Sequence, residues 1–289
     1  MTYRPLRSAL YLPASNPRAI EKARTLPCDA VILDLEDAVA PDQKRAARDS
    51  AAQAFRDGGF GSRLTVLRVN GLDTEWGADD LKTAATLPVD AVLVPKVNEA
   101  EDVRRADAAL GKAAKSLKLW VMIETCLAIG HLQDIADGVL WTRLAGFVIG
   151  TNDLALELRA RPGRDRAGLL PYLALSVAAA RSRGLVVLDG VCNDFNDLDR
   201  FRAEAEQGRA LGFDGKTLIH PAQIEPCNAA FSPTDQEVAR ARMVAAAFAL
   251  PENAGKGAIQ IDGRMVERLH LVEAERVLGI VEAASPLIS

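Results

Sequence analysis

Residues 30–57 read AVILDLEDAVAPDQKRAARDSAAQAFRD, and the order of residue types within them decides the fold. Ala30 to Leu35 is a short apolar run, the acidic Asp34-Leu35-Glu36-Asp37 closes it, and Pro41 to Asp57 is an Ala-rich stretch with charges at helical spacing. A strand covered on both faces reads as a continuous apolar run, and a helix packed on it shows one apolar stripe, so this segment is a βα unit. The same unit recurs on either side. Apolar runs at Ser8–Leu12, Ala30–Leu35, Leu64–Val69, Ala91–Val94, Leu119–Ile123, Gly146–Ile149, Leu185–Leu188 and Asp214–Ile219 predict eight strands. Helical patterns fall between them at Pro17–Leu26, Pro41–Asp57, Glu75–Thr86, Glu99–Ser116, Ala128–Asp137, Arg166–Arg183 and Leu198–Leu211. Eight strands alternating with helices favour a closed parallel barrel over an open sheet, so the expected class is α/β, a (β/α)8 TIM barrel.

After His220 the pattern changes to helices without strands. Thr234–Leu250 and Met265–Ala284 read as helices, and Asn253–Gly263 reads as a Gly-containing bend. The expected division is therefore a barrel catalytic domain over residues 1–225 and a C-terminal helical extension over 226–289, placed to cover the barrel mouth or to reach a neighbouring subunit.

A chain of 289 residues suits one barrel, and 49% hydrophobic with 26% charged residues is close to the soluble globular average. No apolar run approaches a membrane span, and residues 1–7 lack the pattern of a signal peptide. Cys28, Cys126, Cys192 and Cys227 are scattered, without the paired spacing of a zinc or redox motif, and read as reduced thiols of a cytoplasmic protein. A net charge of -4 with mixed signs offers no basic stripe, which sets nucleic acid aside as a partner.

Chemistry in such a barrel sits at the C-terminal ends of the strands. The residues there are Asp34, Glu36 and Asp37 after the second run, Arg68 and Asn70 after the third, Lys96 after the fourth and Glu124 after the fifth. Asn152 and Asp153 follow the sixth, Asp189 the seventh, and Lys216 and His220 belong to the eighth. A rim so crowded with carboxylates calls for a cation. Glu124 and Asp153 end adjacent strands and can reach one ion; two carboxylates completed by water and substrate oxygens suit Mg2+, whereas His131, His220 and His270 have no zinc-ligand spacing. Glu36 and Asp37 are placed to hold metal-bound waters, and Asp34 to cap or brace its strand. The planar fork of Arg68 suits a substrate carboxylate or a developing enolate, and equally a rim salt bridge to Glu36 or Glu124. Cys126 and Cys192 read as space-filling. In the first βα turn, Arg18 and Lys22 could receive phosphates or simply begin a solvated helix.

The segments Asp34-Leu35-Glu36-Asp37-Ala38-Val39, Leu67-Arg68-Val69-Asn70, Val94-Pro95-Lys96, Ile123-Glu124-Thr125, Gly150-Thr151-Asn152-Asp153-Leu154 and Gly212-Phe213-Asp214-Gly215-Lys216 through Ile219-His220-Pro221-Ala222-Gln223 resemble the citrate lyase β-subunit family, which sits with the malyl-CoA and citramalyl-CoA lyases in the HpcH/HpaI aldolase superfamily. The resemblance covers nearly the whole chain. It implies that Glu124 and Asp153 bind Mg2+, that Arg68 contacts the 2-oxo acid or the enolate, and that Glu36 and Asp37 support the metal's waters. It also implies an acid or base in the C-terminal extension, supplied by an adjacent subunit of a homo-oligomer, commonly a trimer. The matching segment is Gly263-Arg264-Met265-Val266-Glu267, where Glu267 replaces the usual Asp. CoA-independent pyruvate aldolases of the superfamily carry His where this chain has Asp37. The resemblance thus implies a Mg2+-dependent lyase that cleaves a malyl-CoA or citramalyl-CoA type thioester to acetyl-CoA and a 2-oxo acid. The alternatives are a malyl-CoA thioesterase and the β-subunit of a multi-chain citrate lyase.

Overall fold

The computed structural model describes residues 4–284. Eight parallel strands close into a barrel in the order of the chain: β1 (Ser8–Pro13), β2 (Ala30–Asp34), β3 (Leu64–Arg68), β4 (Ala91–Val94), β5 (Lys118–Ile123), β6 (Leu144–Ile149), β7 (Val186–Asp189) and β8 (Gly215–Leu218). The last strand pairs back onto the first, Ser8 opposite Lys216 and Leu10 opposite Leu218. All eight stand close to their predicted places, so the expected TIM-barrel class is observed.

Because successive strand residues face opposite ways, each strand feeds two apolar layers. Ile32, Val66, Leu93, Met122, Val148 and Leu188 fill the lumen. Val31, Leu33, Leu67, Val92, Val121 and Val187 face the surrounding helices. This alternation decides which strand-end residues reach the barrel mouth.

The helices differ from expectation at several places. His131 separates two short helices, Cys126–Gly130 and Leu132–Ala136, where one was expected. The helix expected from Arg166 begins at Leu170, since Arg166 has a left-handed φ of 53° that an α-helix cannot include. An unanticipated helix, Thr151–Glu157, follows β6 directly. No helix among the described residues is long and apolar enough to cross a membrane.

The described chain falls into two compact units. The barrel unit runs Leu6–Phe231, so the division expected after residue 225 lies after Phe231; helix Ile224–Phe231 packs on β1, β8 and helix Leu198–Leu211. The second unit, residues 4–5 and 232–284, is not purely helical. Helix Asp235–Ala249 and helix Arg268–Ala284 pack together, but the stretch expected as a bend and a helix start forms an antiparallel hairpin, β9 (Ala258–Ile261) and β10 (Arg264–Glu267). Its turn residues Asp262 and Gly263 have φ of 49° and 74°, the left-handed pair of a tight hairpin turn. Ile259, Ile261 and Val266 point into this unit's core beside Val244 and Phe248.

Candidate active site

Asp34, Arg68 and Glu124 continue the lumen-facing series of Ile32, Val66 and Met122, and so stand inside the barrel mouth. The guanidinium of Arg68 is the hub. Its Nε and Nη2 donate to the two oxygens of Asp34 at 2.6 and 2.7 Å, a bidentate pair in which both side chains are buried. Its Nη1 lies 2.8 Å from Glu36 Oε2 and makes longer approaches to Asp37 Oδ2, 3.4 Å, and Met122 Sδ, 3.7 Å. Arg68 thus forms the expected rim salt bridge to Glu36, and it lines a cavity of about 280 Å³ together with Tyr11, Met122, Asn152 and Asp153.

Asp34 does more than brace a strand. The same carboxylate accepts from the backbone N–H groups of Glu36 and Ala38, at 2.9 and 3.1 Å, so it shapes the turn that carries Glu36 and Asp37. Lys44 secures that turn from behind, its ammonium donating to the carbonyls of Leu35 and Glu36.

Glu124 is 1% exposed and is held against the neighbouring strand ends. One oxygen accepts from the Lys96 backbone N–H at 2.7 Å. The other lies against Gly150, where a Cβ would collide with it, so the glycine is required by close approach. Gly150 is also the cap of helix Thr151–Glu157, whose first turn carries Asp153 toward Glu124. Lys96 has a left-handed φ of 55°. Its ammonium hydrogen-bonds Asp153 and lies 3.8 Å from Glu124 Oε1, so a cation already sits between these two carboxylates. Burial pushes the carboxyl of Glu124 up to about 7 against the pull of Lys96, and that of Glu36 up to about 8 against the pull of Arg68.

Asp189 and Lys216 do not belong to this cluster, contrary to expectation. They share the parity of Val187 and Leu218, which face the helices. Lys216 Nζ reaches Asp189 at 2.9 Å and Glu204 of helix Leu198–Leu211 at 3.6 Å, and Arg166 Nη1 closes on Asp189 at 2.8 Å. This fully buried ion network ties that helix to the barrel wall. Arg18 and Lys22 are exposed on helix Pro17–Ala23 and do not line the cavity. Glu267 closes β10 in the second unit, its backbone N–H donating to His270 Nδ1. Cys126 is exposed and Cys192 buried, and all four cysteines are free thiols.

Lys96 was legible as a strand-end residue but received no role; its backbone N–H and its ammonium both approach Glu124. Tyr11 was missed. The signal available for it was strand parity, since it follows Ala9 on the lumen face of β1.

Residues 7–221 match the family model for HpcH/HpaI aldolase/citrate lyase. The chain belongs to that family. Its relatives there are enzymes of citrate lyase β type. The chain is 47% identical to a (3S)-malyl-CoA thioesterase of Cereibacter sphaeroides, over 96% of this chain and 95% of that protein. It is 34% identical to an L-malyl-CoA/beta-methylmalyl-CoA lyase of the same species, over 98% and 96%. Among solved structures of the family, the CitE protein of Mycobacterium tuberculosis in complex with magnesium, acetoacetate and coenzyme A superposes with a TM-score of 0.74 at 30% identity, covering 97% of this chain and 98% of that one.

Proposed function

We propose that this chain is a Mg2+-dependent thioesterase acting on a 3-hydroxydicarboxylyl-CoA of the malyl-CoA type. The observation that carries the reading is the 47% identity to a (3S)-malyl-CoA thioesterase over nearly the full length of both chains, against 34% to the malyl-CoA lyase. It reverses the order expected from sequence, where the lyase stood first.

The donor set fits magnesium. Glu124 and Asp153 offer two carboxylates, and an ion held by them would complete its shell with water and ligand oxygens, as Mg2+ does. Lys96 supports this reading, since its ammonium is held between Glu124 and Asp153. In this reading Glu124 and Asp153 are the metal ligands, and Glu36 and Asp37 hold waters of its shell. When bound, Mg2+ supplies a Lewis acid that polarises acyl-group oxygens. Arg68 acts through Nη1, which Asp34 does not engage and which in this structure pairs with Glu36, offering positive charge to a substrate carboxylate or to the oxyanion that forms at the thioester carbonyl. Water attacks that carbonyl, the C–S bond breaks, and the products are a carboxylate and the CoA thiol. Arg18 and Lys22 are assigned to the CoA phosphates, and Glu267 of an adjacent copy to acid-base work.

The deciding assay incubates the purified protein with malyl-CoA, citramalyl-CoA or citryl-CoA and Mg2+, following free thiol and 2-oxo acid separately. Metal-dependent thiol release without a 2-oxo acid, lost in Glu124→Ala, is the expected result. Release of a 2-oxo acid without thiol would make the chain a lyase. Turnover of none of the three would point to a complex-bound citrate lyase β-subunit.

A further inference from the structure

Tyr11 stands on β1 in the lumen layer, in register with Ile32 of β2. Its ring lies under the hub of the site, with Arg68 Cζ 4.8 Å from the ring centroid, and it lines the same cavity as Arg68, Met122 and Thr217. Its hydroxyl is buried and has no hydrogen-bond partner among the described residues. Buried hydroxyls are rarely left in this state, because removal from water without a replacement bond is unfavourable. The ring alone would serve for stacking on Arg68, and phenylalanine would provide that ring without the unpaired group. Arg68, Asp34, Glu124 and Glu36 all act on this phenol electrostatically, which places it among the charges of the mouth, and burial keeps it protonated. It is therefore an O–H donor that lacks an acceptor inside a cavity lined by functional side chains.

We infer that Tyr11 is a substrate-binding residue of this cavity, its hydroxyl donating a hydrogen bond to a carboxylate or hydroxyl oxygen of the acyl group. The inference rests on the reading above, that the cavity takes the hydroxy-acid end of an acyl thioester. The phenol thereby complements Arg68: one side chain contributes charge, the other a neutral donor on the lumen side of the same ligand. No protein group among the described residues accepts from the hydroxyl, so its bond is worth more to binding than to folding.

Tyr11→Phe isolates the hydroxyl, keeping ring, volume and stacking on Arg68. Two readouts separate a role in binding from a role in the fold. Calorimetric titration of malate, the acid that hydrolysis of malyl-CoA releases, in the presence of Mg2+ should show affinity weakened about tenfold or more, the loss expected for a hydrogen bond to a charged group. Thermal unfolding without ligand should show a Tm unchanged or raised, because the variant removes an unpaired buried group. With malyl-CoA, kcat/KM should fall by about 10- to 100-fold. Equal malate affinity in the two proteins, or binding by neither, overturns the inference, as does a Tm several degrees lower in the variant, which would reveal a structural partner for the hydroxyl. If the wild-type protein turns over no thioester, the proposed function fails while the malate comparison still decides the role of Tyr11.

Discussion

Asp34 bears on the site through two neighbours at once, because one carboxylate both clamps Arg68 and caps the turn bearing Glu36 and Asp37. Asp34→Asn would leave a buried guanidinium without its bidentate partner, and breaking a buried pair from one side costs about 3 kcal/mol or more. Urea denaturation should show that loss, and activity should fall with it; a variant as stable as the parent would mean that Glu36 suffices to hold Arg68. Lys96 gives a second prediction. Removing its ammonium in Lys96→Met leaves Glu124 and Asp153 facing each other without a cation, so the metal-free Tm should drop. The Tm gained on adding Mg2+ should then exceed the wild-type gain, and no gain should remain in Glu124→Gln, as linkage requires of an ion that binds only the folded state. Equal Mg2+ responses in wild type and Lys96→Met would show that the ammonium does not share the cation's place. The identities of these residues were readable from strand ends, but their directions were not. Arg68, Glu124 and Asp34 face inward because they keep step with Val66, Met122 and Ile32. Asp189 and Lys216 looked equivalent in sequence and face the helices because they keep step with Val187 and Leu218. Counting parity along each apolar run would have separated the two sets.

The barrel strands were legible because each is a short apolar run bounded by polar residues. The hairpin of the second unit was obscured because its strands are brief and only half apolar. Its signal was nonetheless present: Asp262-Gly263 between Ala-Ile-Gln-Ile and Arg-Met-Val-Glu is a two-residue turn flanked by alternating side chains. Both turn residues sit at left-handed φ, and a β-branched side chain there is strained by about 1–2 kcal/mol. Gly263→Val should therefore speed hydrogen exchange at the amides that pair β9 with β10, while amides of β2 and β5 in the barrel keep their protection. Uniform acceleration across both units would contradict a local role. Helix Thr151–Glu157 was hidden for another reason. It follows β6 through the single residue Gly150, leaving no turn signal, and that abrupt entry is what brings Asp153 beside Glu124.

Asp34, Arg68 and Glu124 stand at the ends of barrel strands, while the C-terminal unit is a separate compact body. That unit exposes Met265, Leu269 and Val272 by 71, 62 and 66%, large apolar side chains of the kind found where chains meet. Glu267 lies between Met265 and Leu269 in sequence, and the role proposed for it requires an adjacent copy. Complementation tests this without any assumption about subunit number. Glu124→Ala removes the barrel's carboxylate and Glu267→Ala the donated one, so each protein alone should be nearly inactive in thiol release. Refolded or co-expressed together, they form mixed oligomers in which some barrels with intact Glu124 meet an intact Glu267 from a Glu124→Ala neighbour. Random mixing of equal amounts restores about a quarter of the wild-type sites in a closed ring where each barrel draws on one neighbour. Recovery near that fraction would establish a site shared between copies. No recovery from two individually inactive proteins would place Glu267 in service to its own chain, and full activity of Glu267→Ala alone would remove it from the chemistry.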